Sequence, residues 1–256
     1  MSVRGRNIPL TPARRLIGDL MCATRGVPCI VMERRMHLGQ LVAARQNHPT
    51  RVGWCAIFTK AFGLVSAQRP ELRRAFLSYP RSHLYEHNRS IASVAVERRL
   101  GNEEAVLFAL FQGPEERSLV TLQTDMDRAK NAPVEENGAF RRELRLSRLP
   151  SPLRRLIWWY TFKVCGKRRA KHCGTFGISA TASLGASQLM LLSPLTTTLY
   201  YGPFDKEGAI DVRLVFDHRV VDGANIARIM VELEGILCQE ILTELAAGAA
   251  SSKIAA

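Results

Sequence analysis

The stretch Leu214-Val215-Phe216-Asp217-His218-Arg219-Val220-Val221-Asp222-Gly223-Ala224 carries a histidine out of an apolar segment into a polar corner. The segment before the corner, residues 209–216, is apolar except at Asp211 and Arg213, which predicts a β-strand. An amphipathic helix is predicted to begin near Gly223. An imidazole at the end of a strand can exchange a proton near neutral pH, as a general base must. A strand-end histidine is also common as an ordinary polar residue, so the residues around it decide its interpretation.

The corner Asp217-His218-Arg219-x-x-Asp222-Gly223 closely resembles the signature of the dihydrolipoamide acyltransferases, the catalytic cores of 2-oxoacid dehydrogenase complexes. The wider superfamily with the chloramphenicol acetyltransferase fold carries a looser His-x-x-x-Asp-Gly. The resemblance implies an α/β fold: a chloramphenicol acetyltransferase-like two-layer sandwich, with a mixed sheet covered by helices, assembled as a trimer. It also implies acyl transfer from a thioester, with His218 as the general base.

A second match is Cys173-Gly174-Thr175-Phe176-Gly177-Ile178-Ser179, which resembles the family strand Gly-Thr-Phe-Thr-Ile-Ser. Gly177 replaces the second threonine of that pattern. The resemblance implies that the Ser179 hydroxyl stabilises the oxyanion formed at the thioester carbonyl. In the family, the histidine of one subunit meets the serine of the next, so each site is expected at a trimer interface.

A third match is Leu10-Thr11-Pro12-Ala13-Arg14-Arg15-Leu16-Ile17, which resembles the first helix of the acyltransferase core. Thr11 and Pro12 predict the N-cap and first turn of a helix. In the family an arginine of this helix reaches the aspartate of the histidine corner. Arg14 is the best match for that arginine, with Arg15 as the alternative, and Asp222 would be its partner.

The remaining charged residues of the corner, Asp217 and Arg219, are interpreted as structural support for the site. No metal is implied, and the cysteines form no Cys-x-x-Cys pair or His cluster that would indicate a zinc site. No covalent acyl-enzyme is required, because a thioester is already activated. The family's Gly-Leu-x-x-Pro-Val strand has no counterpart at residues 104–110, so the acyl donor stays open. The catalytic-type sequence begins by about residue 8 without a lipoyl domain. The resemblance implies a coenzyme A thioester as substrate, with a lipoyl group in trans or a carrier protein as alternatives.

Three functional hypotheses remain. The first is a thioester-dependent acyltransferase, and the second is a condensation-type or lipid acyltransferase. The third is a non-catalytic trimeric scaffold of a 2-oxoacid dehydrogenase-like assembly. The presence of both His218 and Ser179 favours an enzyme, because a scaffold needs neither residue. A homotrimer, or a higher assembly of trimers, is expected in each case.

The length of 256 residues and the 46% apolar composition predict one large domain with a full hydrophobic core. The resemblance implies that residues 1–245 are a single acyltransferase-type catalytic domain. Residues 246–256 are small and polar, so a flexible C-terminal tail is expected there. No apolar run reaches the roughly 20 residues of a membrane span, and no secretory signal is recognisable. The six scattered cysteines are interpreted as small buried hydrophobes in a reducing compartment. A cytoplasmic location, peripheral to the membrane at most, is expected.

The formal net charge of +13 is concentrated in one segment. Residues 140–171, the basic segment, are predicted to form an aromatic helical insertion with eleven Lys or Arg residues and one acid, Glu143. The segment could pack as core, or bind an anionic membrane surface or an acidic carrier or lipoyl protein. A nucleic-acid partner is not expected, because no nucleic-acid motif accompanies the charge.

Periodicity predicts the other elements. Strands are expected near residues 29–34, 90–97, 105–112, 196–202 and 209–216, and helices near 38–46, 52–68, 118–130, 153–169 and 223–245.

Overall fold

The computed structural model describes residues 5–101, 103–180, 185–186, 188–189 and 192–254. Within these residues the chain forms eight β-strands and nine α-helices. The strands are β1 (Cys29–His37), β2 (Arg74–Leu77), β3 (His83–Glu86), β4 (Ile91–Leu100), β5 (Glu103–Gln112), β6 (Phe176–Ser179), β7 (Thr197–Tyr201) and β8 (Ala209–Asp217). The helices are α1 (Pro12–Thr24), α2 (Gly39–Gln46), α3 (Trp54–Gln68), α4 (Leu119–Asn131), α5 (Gly138–Arg148), α6 (Ser151–Lys163), α7 (Gly166–Cys173), α8 (Gly223–Ile236) and α9 (Leu242–Ile254).

Six strands form one mixed sheet in the order β1-β8-β7-β6-β4-β5. The pairs β6–β7 and β4–β6 are parallel, and the other three pairs are antiparallel. Strands β2 and β3 form a separate antiparallel hairpin, which the sequence did not predict. The predicted fold class, a mixed sheet covered by helices, is confirmed.

Helix α3 is the centre of the helical layer and is buried along most of its length. Its Phe58 stacks on Tyr201 of β7 at 4.4 Å between ring centroids, and its Phe62 meets Phe176 of β6 edge-on at 4.9 Å. Burying a large aromatic side chain contributes about 1.5–3 kcal/mol. Because side chains alternate along a strand, Gly177 and Ser179 lie on the sheet face opposite α3.

Helix α1 begins where the sequence predicts. The Thr11 hydroxyl accepts a hydrogen bond from the Arg14 backbone N–H at 3.2 Å, and Pro12 occupies the first turn. Proline fits there because the first helical N–H groups lack partners within the helix. Leu16 and Leu20 of the same helix are buried. This places α1 against the core, as its apolar spacing indicates.

Helix α5 covers the outer edge of the sheet. Phe108 of the edge strand β5 donates its backbone N–H to the Glu143 carboxylate of α5 at 3.1 Å. An exposed strand edge is a template for pairing with other chains, so this contact blocks further pairing at that point. Burial raises the pKa of the Glu143 carboxyl to about 8, with the Phe108 hydrogen bond and Arg142 acting in the opposite direction.

Glu143 is therefore expected to make stability fall with rising pH. Between pH 4.5 and about 8 the folded state holds the Glu143 proton and the unfolded state has released it, so the free energy of unfolding decreases as pH rises through this range. Glu143→Gln keeps an acceptor for Phe108 without the titration. We expect it to be more stable than wild type at pH 8.5 by on the order of 2 kcal/mol, with a smaller difference at pH 5. Urea denaturation at both pH values measures this, with the exposed Glu136→Gln as control. An equal difference at both pH values would contradict it.

Two predicted elements differ from the structure. The helix predicted over 153–169 is divided into α6 and α7, because the backbone leaves the helical conformation at Val164 and Cys165. Gly166 begins α7, and a Cβ there would lie 2.2 Å from the Tyr85 ring, so only glycine permits that approach. The last helix includes a π-helical turn at Leu237–Ile241 and continues as α9 to Ile254. The helix thus extends beyond residue 245, where the predicted last helix ends, and Gly248 lies against His48. The flexibility of residues 246–256 stays a prediction.

The six cysteines are free, and five of them are half-buried. Cys22 is exposed, so the prediction that the cysteines are buried holds only in part. Among the described helices, none has the length and apolarity to cross a membrane.

Candidate active site

His218 follows the last residue of β8 and lies in a tight turn. Its backbone N–H donates to the Pro28 carbonyl at 3.2 Å, and the N–H groups of Val220 and Val221 both donate to the Asp217 carbonyl. The imidazole packs edge-on against Phe216 at 6.0 Å, and 45% of the side chain is exposed. The backbone of the turn is thus fixed while the ring faces outward.

A buried ion pair holds this turn. Asp217 is fully buried, and its carboxylate accepts two hydrogen bonds from the Arg219 guanidinium, at 2.9 and 2.7 Å, and a third from the Arg219 backbone N–H. The guanidinium also donates to the Gly26 carbonyl and lies 4.4 Å from the Phe76 ring centroid. Such bidentate pairs fix both position and orientation. The predicted structural role of Asp217 and Arg219 fits this geometry.

Removal of the Asp217 charge is expected to destabilise the protein. Asp217→Asn loses the bidentate pair and leaves the Arg219 guanidinium partly buried without its carboxylate. Loss of one partner of a buried pair typically costs 3–5 kcal/mol; because Arg219 is partly exposed, we expect about 2–3 kcal/mol. Asp211→Asn, on the same strand but with an exposed 3.5 Å ion pair to Arg35, should cost less than about 0.5 kcal/mol. Equal losses in denaturant titrations of the two variants would show that the Asp217 pair does not support the turn.

Asp222 lies beside the catalytic candidate. It is the N-cap residue of α8, but its side chain makes no capping hydrogen bond to the helix. Its Oδ1 instead lies 3.5 Å from the His218 Nδ1, and 79% of the side chain is exposed. The carboxylate is therefore placed to orient the imidazole by a weak, solvated contact.

The predicted pair between Arg14 and Asp222 is absent from the described chain. Arg14 is exposed and points its Nε to the Glu103 carboxylate at 3.4 Å. Arg14 was chosen by the resemblance of its helix motif alone. In the structure α1 lies beside β5, and the Glu103 carboxylate of β5 is nearer to Arg14 than Asp222 is. The assignment of Arg14 as a support of the histidine corner is corrected accordingly: in one chain, the Asp217–Arg219 pair has that role.

Ser179 is the last residue of β6 and is half-buried. It is in register with Tyr200 of β7, which is in register with Arg213 of β8. The preceding Gly177 explains the departure from the family motif. A Cβ at that position would lie 2.7 Å from the Thr198 hydroxyl, so a threonine would collide with the neighbouring strand.

His218 and Ser179 lie at opposite ends of the sheet. Phe176 is level with Thr197 and, through it, with Phe216. Ser179 lies three positions beyond that level, and His218 lies two positions beyond it in the opposite direction. At the usual rise per residue, this separates the two side chains by about 17 Å along the strands. One chain therefore does not bring the predicted base and the predicted oxyanion donor together.

No protein-family model matches this sequence, and no curated protein sequence matches it significantly. Solved structures do match. The Azotobacter vinelandii dihydrolipoamide acetyltransferase is 16% identical, with a TM-score of 0.66 and alignment over 94% of each chain. The cubic core of a pyruvate dehydrogenase complex is 15% identical, with a TM-score of 0.65 and 94% of each chain aligned. A probable dihydrolipoamide acetyltransferase from Listeria monocytogenes is 17% identical, with a TM-score of 0.62, over 92% of this chain and 95% of its own.

The chain has the dihydrolipoamide acyltransferase core fold. The resemblance inferred from three short motifs is thereby confirmed at the level of the fold. At these identities the comparison shows the architecture alone.

Near the histidine corner lies a buried cation that the sequence did not single out. Arg169 of α7 is buried and donates to the carbonyls of Phe76 and Pro194, and burial lowers its pKa to about 10. Arg169 thus ties the segment before β7 to strand β2, close to Asp217. From the sequence, Lys167, Arg168 and Arg169 would all be expected on the surface. Only the small residues Gly166 and Ala170, which lie on the same side of α7 as Arg169, indicate that Arg169 is buried.

Lys163, at the end of α6, also lies close to the histidine corner. Burial lowers its pKa, and the neighbouring Arg219 and Arg169 add to that effect, whereas Asp217 opposes it. The turn that carries His218 is thus surrounded by three cations and one buried carboxylate. Of these cations, Lys163 and Arg169 belong to the predicted insertion, residues 140–171, and only Arg219 was predicted at the site.

A cavity of about 230 Å³ lies elsewhere, between α1 and β5. Its lining includes Arg14 and three glutamates but none of the residues of the histidine corner. Among the residues that the structure describes, no group of three or more His, Cys, Asp or Glu side chains could hold a metal ion.

Proposed function

We propose that this protein is an acyltransferase that moves an acyl group from a thioester to an acceptor at an interface between subunits of a homotrimer. His218 of one subunit is the general base, and Ser179 of the next stabilises the oxyanion. The observation that carries the proposal is the placement of these two residues. Each is oriented by its own strand end, and the two ends are too far apart to act within one chain.

The chemistry needs only these groups. The imidazole accepts the proton of the acceptor nucleophile, which attacks the thioester carbonyl carbon and forms a tetrahedral oxyanion. The Ser179 hydroxyl donates a hydrogen bond to that oxygen. Collapse breaks the carbon–sulfur bond, and the imidazolium returns the proton to the leaving thiolate. The proton is therefore conserved, and no acyl-enzyme is required.

The role of Asp222 is supported by a comparison with the Azotobacter vinelandii enzyme. The catalytic mechanism of that enzyme has been investigated at a serine, a histidine and an asparagine four residues after the histidine. Asp222 has the same spacing from His218, and its carboxylate lies near the ring. We therefore assign Asp222 to orientation of the imidazole, in place of the pair with Arg14.

The donor is proposed to be a coenzyme A thioester, with a lipoyl group in trans and an acyl carrier protein as the other donors to be tested. A higher assembly of trimers is supported only by the likeness to a cubic core. The presence of both His218 and Ser179 on fixed strand ends favours turnover over a scaffold that has lost it.

Purified protein incubated with a panel of acyl-CoA, acyl-lipoamide and acyl-carrier thioesters tests the proposal. We expect acceptor-dependent release of free thiol with at least one donor class, and none with His218→Ala. Mass measurement in solution should give a trimer. A folded trimer that releases thiol from no member of the panel would support the scaffold instead.

A further inference from the structure

Helix α6 carries an apolar face that points to solvent. Leu153, Leu156, Trp159 and Tyr160, the α6 stripe, are between 42% and 58% exposed. The opposite face of the same helix packs inward: Phe162 is buried, and the Trp158 ring stacks on it while its indole N–H donates to Asp19. A surface helix ordinarily buries its one apolar stripe. Here the inward face is filled by other residues, and a second apolar stripe remains outside.

The α6 stripe continues onto the neighbouring hairpin connection. Tyr79 is exposed, and its ring lies 5.5 Å from that of Trp159. The patch therefore presents three aromatic rings together. Tyrosine and tryptophan combine an apolar ring with a polar atom, which suits the boundary between water and an apolar medium.

The basic segment that contains the α6 stripe carries many exposed cations. Eight of the eleven Lys and Arg residues of the basic segment are exposed. Within the described part of the chain, Arg154 is the only one of the eleven with a salt-bridge partner, Asp19. Arg155 lies in the stripe's own helix, and the Arg168 guanidinium lies 6.0 Å from the Tyr160 ring centroid. The positive charge is thus available to a partner, since the segment's one acid, Glu143, faces β5.

We propose that the α6 stripe and its cationic rim dock on an anionic phospholipid membrane, with α6 lying in the plane of the interface. The stripe would enter the headgroup boundary, while Arg155, Lys167 and Arg168 would contact lipid phosphates. Charge complementarity and the ring chemistry favour a bilayer over an acidic protein. The Trp and Tyr rings suit the headgroup boundary, and the cations beside them suit lipid phosphates. The inference does not depend on acyl transfer, and it would give the proposed site access to a membrane-bound substrate.

Flotation of the full chain with vesicles tests the docking. We expect binding to phosphatidylcholine vesicles containing 30% phosphatidylglycerol, little binding to pure phosphatidylcholine, and weaker binding at 500 mM than at 50 mM salt. Arg155→Gln with Arg168→Gln should reduce the partition coefficient by roughly 25-fold, about fivefold per charge. Leu156→Ser with Trp159→Ser should reduce it by at least about tenfold and make the remainder purely salt-sensitive.

The matched control is Arg228→Gln with Val231→Ser, which removes one exposed cation and one exposed apolar side chain from α8. This variant should float like wild type. Equal binding of wild type and both α6 variants, or no binding to anionic vesicles, would overturn the proposal. If the α6 variants change the mass of the oligomer, the stripe is a subunit contact and the proposal is likewise wrong. Salt-sensitive titration by an acidic carrier protein without vesicle binding would assign the face to that partner instead.

Discussion

His218→Ala is expected to lower kcat for acyl transfer by about 10³-fold, because the acceptor then loses the group that removes its proton. The oligomer and its melting temperature should remain nearly unchanged. The ring is 45% exposed, and the turn is held by backbone hydrogen bonds and by the Asp217–Arg219 pair rather than by the imidazole. The measurement is thiol release with the best donor of the thioester panel, together with thermal unfolding.

The matched control is His37→Ala. His37 is also exposed, and it ends β1, the strand paired with β8. It should leave kcat unchanged. A kcat for His218→Ala within a factor of two of wild type would remove His218 from the chemistry, and an equal loss in both variants would indicate a general effect on the sheet.

Ser179→Ala is expected to lower kcat by about 100-fold or more, with little change in KM. The hydrogen bond is made to the oxyanion, which exists only around the transition state, so its loss spares the binding of the ground-state thioester. Ser151→Ala, at the exposed first residue of α6, is the control and should have no effect. A rise in KM at constant kcat would instead assign Ser179 to substrate binding.

Much of the fold was predictable because several short segments carry strong local signals. The alternation of residues 209–216 and the cap Thr11-Pro12 predict β8 and α1 where the structure has them. The break between α6 and α7 was missed, although Gly166 directly after it is a residue type that often follows a helix end. The end of the last helix was also missed. Small residues after Leu245 predict a flexible tail, whereas α9 continues to Ile254 and Gly248 lies against His48.

At the candidate site, the residue types were predictable and their partners were not. The spacing of the corner indicates His218 and Asp222, and the structure places them 3.5 Å apart. The partner of Arg14 depends on which strand lies beside α1, and the sequence alone does not specify that neighbour. Arg169 was missed for a related reason, since burial of one arginine in a basic run is decided by tertiary packing.

The central claim, that each site is shared between two subunits, is tested most directly by subunit mixing. Ser179→Ala and His218→Ala proteins, each expected to keep no more than about 1% of wild-type kcat, are unfolded, mixed in equal amounts and refolded together. In a closed trimer, about one quarter of the interfaces should then join an intact His218 to an intact Ser179, and about one quarter of wild-type activity should return. No recovery in refolded mixed trimers, when wild type treated in the same way regains its activity, would contradict a shared site.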